Sequence, residues 1–488
     1  MKRMFYAAFI CGLIFFQQNA SAQDFIQARG AKLYRSGKEI QLRGANLGNW
    51  LLLEDWMVGL YGTDTQIHSA MSTVLGKEKA DAFWDEYMTA YYTDKDAEFL
   101  EKEGFNVLRV PIDENRIEDP NQPGHYDEGA LRHLDTMIRI SKAHGIYVIL
   151  DLHAVMGGQS REIYADSLSA TPDFWRYADF RMRATAFWVA LAKRYRNETA
   201  VAGYDLVNEP NTEGHTELLT AWLRETHRQI RQVDSVHLIW LSGDDYGKNF
   251  QGLPDEFWND KQTVFQFHIY PFFAFPLSKM TDYPQTIDGV RYDKAYLRSL
   301  MHEQIAFGRR RPVYMGEFGA GNGGPQFVYA MVRDMISIAD EEGWSWTEWT
   351  YKDVGGQGLV TVRADTPWRI FLASPEVKAE REKARVLLGS DDGPRSEDSA
   401  AKMTAQILSN FNFEWWPRQY EFVAPIERAF DDELTYAIVF HLKDKSGTEM
   451  RQLADSFAFD SCSPSAELVE LYLIRKGQKP VPPGKVSR

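Results

Sequence analysis

Short apolar runs alternate along this chain with longer stretches in which apolar residues recur every three to four positions. The runs Ile40–Leu47, Asn106–Pro111, Tyr147–Leu152 and Gly203–Val207 read as strands. So do His237–Leu241, Val264–Ile269, Val313–Glu317 and Trp344–Thr350. Between them, Leu131–His144, Ala184–Arg196, Leu218–Val233, Tyr296–Phe307 and Phe327–Asp340 carry helical periodicity. Eight strands separated mostly by helices predict an α/β chain, a (β/α)8 TIM barrel. The rival is a doubly wound sheet, which would place a glycine-rich phosphate turn after its first strand. Gly48-Asn49-Trp50 follows that strand instead.

After the eighth strand, Asp353–Gly358 is glycine-rich and Ser390–Ser399 is charged and turn-rich, so both read as loops. Residues 23–412 are assigned to the barrel and 413–488 to a C-terminal extension packed on it. Within the extension, Ser446-Gly447-Thr448-Glu449 has the pattern of a capping box before a helical Met450–Phe459.

Two acidic residues stand at predicted strand exits. Glu209 lies in Leu206-Val207-Asn208-Glu209-Pro210, and Glu317 in Val313-Tyr314-Met315-Gly316-Glu317-Phe318-Gly319. Strand ends on the C-terminal face of a barrel are where catalytic side chains are presented. Two carboxyl groups on one face suit glycosidic-bond chemistry, in which one donates a proton and the other attacks or stabilises the sugar cation.

In order along the chain, Leu108-Arg109-Val110-Pro111, Leu150-Asp151-Leu152-His153 and Val207-Asn208-Glu209-Pro210 precede three further strings. These are His268-Ile269-Tyr270, Gly316-Glu317-Phe318-Gly319 and Trp349-Thr350-Tyr351-Lys352. Together they resemble glycoside hydrolase family 5 over roughly Ile40 to Asp353. The resemblance implies Glu209 as general acid/base and Glu317 as nucleophile of a retaining enzyme. It implies sugar-binding or site-lining roles for Arg109, His153, Asn208, His268, Tyr270 and Trp349, with Trp346 competing with Trp349 for the sugar platform. Taken singly, Arg109 reads equally well as a barrel-end ion pair, whereas either histidine is more often a satisfied core residue and Trp349 more often core. No cofactor is implied, and no His or Cys spacing typical of a metal site is present. A serine-triad hydrolase would show G-x-S-x-G, which is absent.

Charge and composition narrow the partners. The formal net charge is −14, unsuited to nucleic acid or an anionic membrane surface, where phosphates demand Lys and Arg. Aromatics make up 14% of the chain, a surplus that suits stacking on sugar rings. Met1-Lys2-Arg3, an apolar run from Met4 to Phe16 and Ala20-Ser21-Ala22 form the pattern of a secretory leader spanning 1–22. A secreted or periplasmic enzyme with no membrane span is the expectation. Losing Lys2 and Arg3 takes the net charge from −14 to −16, and Cys462 then remains as the single cysteine.

Arg43-Gly44-Ala45-Asn46-Leu47-Gly48-Asn49-Trp50-Leu51 with Glu54-Asp55-Trp56 resembles the first-strand region of exo-acting β-1,3-glucanases in that family. The implied substrate is a β-glucan or β-glucoside. His153-Ala154-Val155-Met156-Gly157-Gly158-Gln159 departs from the Gly-Ala-Pro-Gly-Ser that follows the histidine in those enzymes, so exo and endo action both stay open. Phe272, Phe273 and Phe275 are candidates for one wall of the site. The alternatives are an enzyme of the same fold acting on a mannan or glycolipid, and a carbohydrate-binding barrel without catalysis.

Overall fold

The structure is a computed structural model describing residues 24–253, 255–305, 311–321, 327–388 and 419–472. The leader at 1–22, the Ser390–Ser399 loop, the helix end at Phe307 and the boundary at 412/413 lie outside the described residues.

Eight parallel strands close into a barrel. They are β1 (Arg43–Asn46), β2 (Val107–Asp113), β3 (Tyr147–Ala154) and β4 (Val201–Asp205), then β5 (Leu238–Leu241), β6 (Thr263–His268), β7 (Val313–Glu317) and β8 (Ser345–Glu348). The ring closes by pairing of β8 with β1. Helices Glu128–Ala143, Ala178–Tyr195, Thr216–Val233, Lys294–Gln304 and Phe327–Glu342 lie where the periodicity places them. The predicted first strand is a merger of two elements. Ile40 ends a three-stranded antiparallel meander (Gln27–Arg29, Lys32–Arg35, Lys38–Ile40), and the barrel strand begins only at Arg43. The fourth strand starts two residues earlier than predicted and stops at Asp205, so Glu209 sits four residues beyond it. The predicted Met450–Phe459 helix is shorter, Gly447–Ala454 followed by two 3₁₀ turns, and its capping box at Ser446 and Glu449 is formed.

The barrel interior changes character from one end to the other. At the N-terminal end Val107, Tyr147, Ile149, Leu238, Trp240, Val264 and Tyr314 form an apolar plug with Ile26, Leu33 and Ile40 of the meander. Strand side chains alternate faces with period two, so the same inward rows continue upward as Arg109 on β2, Asp151 and His153 on β3, and Gln266 and His268 on β6. Three irregularities adjust this alternation, the first a β2–β3 register shift between Ile112 and Asp113. The β3–β4 register shifts between Val148 and Ile149, and the β6–β7 register shifts between Met315 and Glu317. A bulge moves the following side chain to the other face. Glu317 thereby shares the barrel mouth with His268, its register partner.

The C-terminal part caps one side of the barrel mouth. Helix Gln419–Phe440 lies against helix Asp64–Leu75 of the segment after β1. Tyr61 N donates to Thr435 Oγ1 at 2.8 Å, and Gln66 Nε2 donates to Arg428 O at 3.0 Å. Arg428 donates to the carbonyls of Ser167 (3.1 Å) and Arg161 (3.0 Å) in the segment after β3. Among the described residues, no helix is long and apolar enough to cross a membrane.

Candidate active site

Arg109 organises the centre of the barrel mouth. It is fully buried, and a buried cation must be paired. Its Nε donates to Asp205 Oδ2 at 2.9 Å, Nη1 to Glu317 Oε1 at 2.8 Å and Asn46 Oδ1 at 3.1 Å, and Nη2 to Asn208 Oδ1 at 2.8 Å. Asp151 Oδ1 lies 3.0 Å from Nη2. One guanidinium thus links side chains from β1, β2, β3, β4, β7 and the turn after β4, a use of its planar five-donor fork that lysine could not reproduce.

Glu317 accepts from Arg109 on one oxygen and from the Tyr270 hydroxyl, 2.9 Å away, on the other. Glu209 accepts from the Tyr164 hydroxyl at 2.5 Å, and its other oxygen faces His268 Nδ1 at 2.6 Å. The same Nδ1 is 3.6 Å from Glu317 Oε2. The ring thus turns Nδ1 toward both acids. The Glu209 backbone adopts φ +39°, a left-handed conformation that costs a non-glycine residue energy and recurs at functional sites. Burial raises the Glu209 carboxyl above the ordinary glutamate range, against an opposing pull from the Tyr164 hydrogen bond. Burial drives His268 down to about 4 and His153 to about 3, so both imidazoles are neutral at physiological pH. His153 Nδ1 meets Asp151 Oδ2 at 2.7 Å, Asn208 Nδ2 lies 3.2 Å from His153 Nε2, and Trp349 stacks on the imidazole with centroids 5.2 Å apart.

Above this network lies a cavity of about 1190 Å³, larger than the roughly 300–1,000 Å³ of ordinary small-molecule sites. His153, Asn208, Glu209, His268, Tyr270, Glu317 and Trp349 all line it. Arg109 lies beneath, touching Glu317 and Asn208. All eight residues singled out from the sequence therefore belong to one assembly. Trp346 does not. It packs outside the barrel against Phe105, Phe318 and Tyr472, because residues 346 and 348 face the helical layer. Phe272 and Phe273 reach the cavity, whereas Phe275 is buried among Tyr283, Tyr292 and Tyr296.

Sequence reasoning missed Tyr164, Asn46, Asp205 and Gln159. Gln159 Nε2 donates to the carbonyls of His153 (2.6 Å) and Asn208 (2.9 Å), tying the segments after β3 and β4 together. Only Asp205 had a local signal, an acid at the end of an apolar strand. Glu209, His268 and Glu317 bring ligand-type atoms within 4.8 Å of one another. Both Glu317 oxygens already accept hydrogen bonds, one from a guanidinium, so an incoming cation would displace this network rather than complete it.

A barrel with paired acids at its C-terminal mouth is the architecture of a glycoside hydrolase. The glycosyl hydrolase family 5 (cellulase) model matches residues 60–355. A β-xylosidase of Phanerodontia chrysosporium is 30% identical over 468 residues, covering 90% of this chain and 95% of that protein. A protein of Aspergillus clavatus named "Probable glucan 1,3-beta-glucosidase A" is 33% identical over 219 residues, 44% of this chain and 50% of the relative. The solved endoglucanase of Thermotoga maritima is 18% identical, with a TM-score of 0.48 over 65% of this chain and 91% of its own. The chain belongs to glycosyl hydrolase family 5, and it is a glycoside hydrolase.

Proposed function

We propose that the enzyme hydrolyses a β-glycosidic bond of a β-glucan or β-glucoside with retention of configuration, Glu209 acting as acid/base and Glu317 as nucleophile. The observation that carries this reading is the carboxyl pair itself. Oxygens of Glu209 and Glu317 lie within 4.8 Å of each other. Retaining enzymes set their carboxyls about 5–5.5 Å apart, and inverting ones leave about 6.5–9.5 Å for a water.

The two environments divide the labour. Arg109 and Tyr270 hold both oxygens of Glu317 in place for attack on the anomeric carbon. Burial raises the Glu209 carboxyl, the direction an acid needs, and in the reaction its proton passes to the departing glycosidic oxygen as the C–O bond breaks and the Glu317 ester forms. Glu209, now ionised, takes a proton from water. The water oxygen attacks the same carbon from the side the leaving group vacated, and the ester bond to Glu317 breaks. Asn208, held by Arg109 and His153, is placed to meet a sugar hydroxyl, and Trp349 supplies a flat apolar face for the ring.

Glu317→Ala is expected to abolish turnover and to recover part of it with azide, yielding the α-glycosyl azide. Glu209→Ala is expected to lose about 10²–10⁴-fold on substrates with poor leaving groups and far less on activated aryl glycosides. The opposite assignment of these behaviours would reverse the roles. Similarity to a β-xylosidase over 90% of the chain supports a second reading, a β-xyloside as substrate. Comparing kcat/KM on aryl β-glucoside and aryl β-xyloside, and following laminarin, mixed-linkage glucan, cellulose oligomers and mannan over time, separates the readings. Monosaccharide from the first minutes indicates end-wise cleavage, and a ladder of oligosaccharides indicates an open groove.

A further inference from the structure

The segments after β1, β2 and β3 are sewn into one body beside the catalytic acids. Asp166, buried after β3, accepts from Thr65 N (3.0 Å) and Thr65 Oγ1 (2.5 Å) after β1 and from Asn115 Nδ2 (3.0 Å) after β2. Helix Gln419–Phe440, outside the stretch matched by the family, docks on that body at two places. Thr435 is fully buried and exchanges two hydrogen bonds with the Tyr61 backbone, accepting from N at 2.8 Å and donating to O at 2.7 Å. Two turns earlier, Arg428 donates to the carbonyls of Ser167 and Arg161, while its own carbonyl accepts from Gln66 Nε2. Leu434, Ile438 and Val439 complete the seam with buried apolar surface. A helix with this much buried contact opens only at a large cost in free energy, so it is a fixed part of the site.

Ala424, Glu427, Arg428 and Asp431, three and four residues apart, turn one face of this helix to the cavity that holds Glu209 and Glu317. The cavity is therefore covered on the β1–β3 side. The rim after β6, across the barrel, is exposed. Phe272 and Phe273 line the same cavity there, and Phe273 is 85% exposed. Apolar rings left in water at a cavity rim mark where a ligand passes. The ring platform lies toward the covered side. Trp349 stacks on His153, and Tyr164, from the segment that anchors Arg428, stands edge-on to the same imidazole at 5.9 Å. Tyr270 and Phe272, stacked with centroids 5.1 Å apart, lead from Glu317 toward the exposed rim.

Resting on the hydrolase reading above, we propose that helix Gln419–Phe440 makes the cavity blind beyond the sugar seated on Trp349. The enzyme then admits only the non-reducing end of its substrate, and the rest of the chain leaves past Phe272 and Phe273. A groove open at both ends would let a polysaccharide run through and be cut internally. A wall across it rejects that binding mode by steric clash, the repulsive half of specificity. The wall residues decide which part of a chain reaches the acids and take no part in bond cleavage.

The test compares an oligosaccharide of the β-gluco or β-xylo series, labelled at its reducing end, with the same molecule carrying a benzyl ether on O4 of its non-reducing terminal sugar. The wild type is expected to turn over the capped molecule with kcat/KM at least about tenfold below the uncapped one. In full-length Arg428→Ala, which loses the bonds to the segment after β3, that gap is expected to narrow. Ala424→Trp, which leaves every anchor of the helix in place and fills the blind end, is expected to raise KM for the uncapped molecule about tenfold or more, and it carries the test should Arg428→Ala fold poorly. Equal turnover of capped and uncapped molecules by the wild type would overturn the proposal. So would folded variants, checked by thermal unfolding, that leave both the gap and KM unchanged. Calorimetric binding of the two molecules separates this from a failure of the hydrolase reading. A wild type that cleaves neither but binds only the uncapped one would sink the hydrolytic assignment and leave the wall standing, and equal binding of both would sink the wall.

Discussion

Tyr164 shows how one side chain tunes the chemistry of another. Its hydroxyl donates to Glu209 and stabilises the ionised form, and so opposes the effect of burial. Tyr164→Phe removes that donor and leaves the ring. The Glu209 carboxyl should then hold its proton to higher pH. The alkaline limb of the kcat/KM profile, which reports the acid in the free enzyme, should move to higher pH. A limb that stays in place or moves down would mean that another group governs it. His268 acts in the opposite sense to a titrating base. Burial holds it neutral, with Nδ1 turned toward both glutamates and Nε2 buried without a hydrogen-bond partner.

The bulge in β7 is the element on which the site depends. Met315 faces the helices, and regular alternation would carry Glu317 there too. The register shift turns it to the mouth instead. Gly316 makes room for that turn. A Cβ there would lie 2.7 Å from Gln266 Oε1 and 2.9 Å from His268 Nε2. Asn46 Nδ2 and Thr347 Oγ1 both donate to the Gly316 carbonyl, at 3.0 and 2.7 Å, and fix the bulge against β1 and β8. Gly316→Ala is expected to displace His268 and Glu317 and to lower kcat by about a hundredfold, the order of loss that an ångström of misplacement produces. Thermal unfolding beside kinetics checks this, since a loss of stability with intact kcat would contradict it.

At the scale of the whole molecule, buried acids set the pH response of stability. Burial pushes Asp64 up to about 7 and Glu114 up to about 8. Between the ordinary carboxyl range near pH 4 and these values, the folded state holds protons that the unfolded chain has released. Stability therefore falls as pH rises through that window. The buried histidines His153 and His268 work in the other direction only below their unfolded value near 6.5, since above it they are neutral in both states. The window from pH 6.5 to 8.5 is thus governed by the acids, and the midpoint of thermal unfolding should be lower at pH 8.5 than at 6.5. A flat or rising midpoint would show that these carboxyls are already ionised in the fold.

Strand count, barrel class and both glutamates were legible in the chain because they rest on local signals. Apolar runs mark strands buried on both faces, helical periodicity marks the layer around them, and an acid just past a strand has few structural uses. Cap chemistry was equally local, as Ser446 and Glu449 illustrate. Boundaries were less legible. Ile40 and Arg43 sit in one apolar stretch yet belong to different sheets, and only the turn of the chain between meander and barrel separates them. Relations between distant segments were not legible at all. Nothing near Tyr164 says that its hydroxyl reaches Glu209, nothing near Trp346 says that it faces the helices while Trp349 faces the cavity, and nothing near Glu427 says that a helix over two hundred positions after Glu209 walls the same space. Periodicity reports which face of an element is apolar. Which elements meet, and which polar groups thereby share one buried volume, is settled by the closure of the barrel and the packing of the C-terminal helix across its mouth.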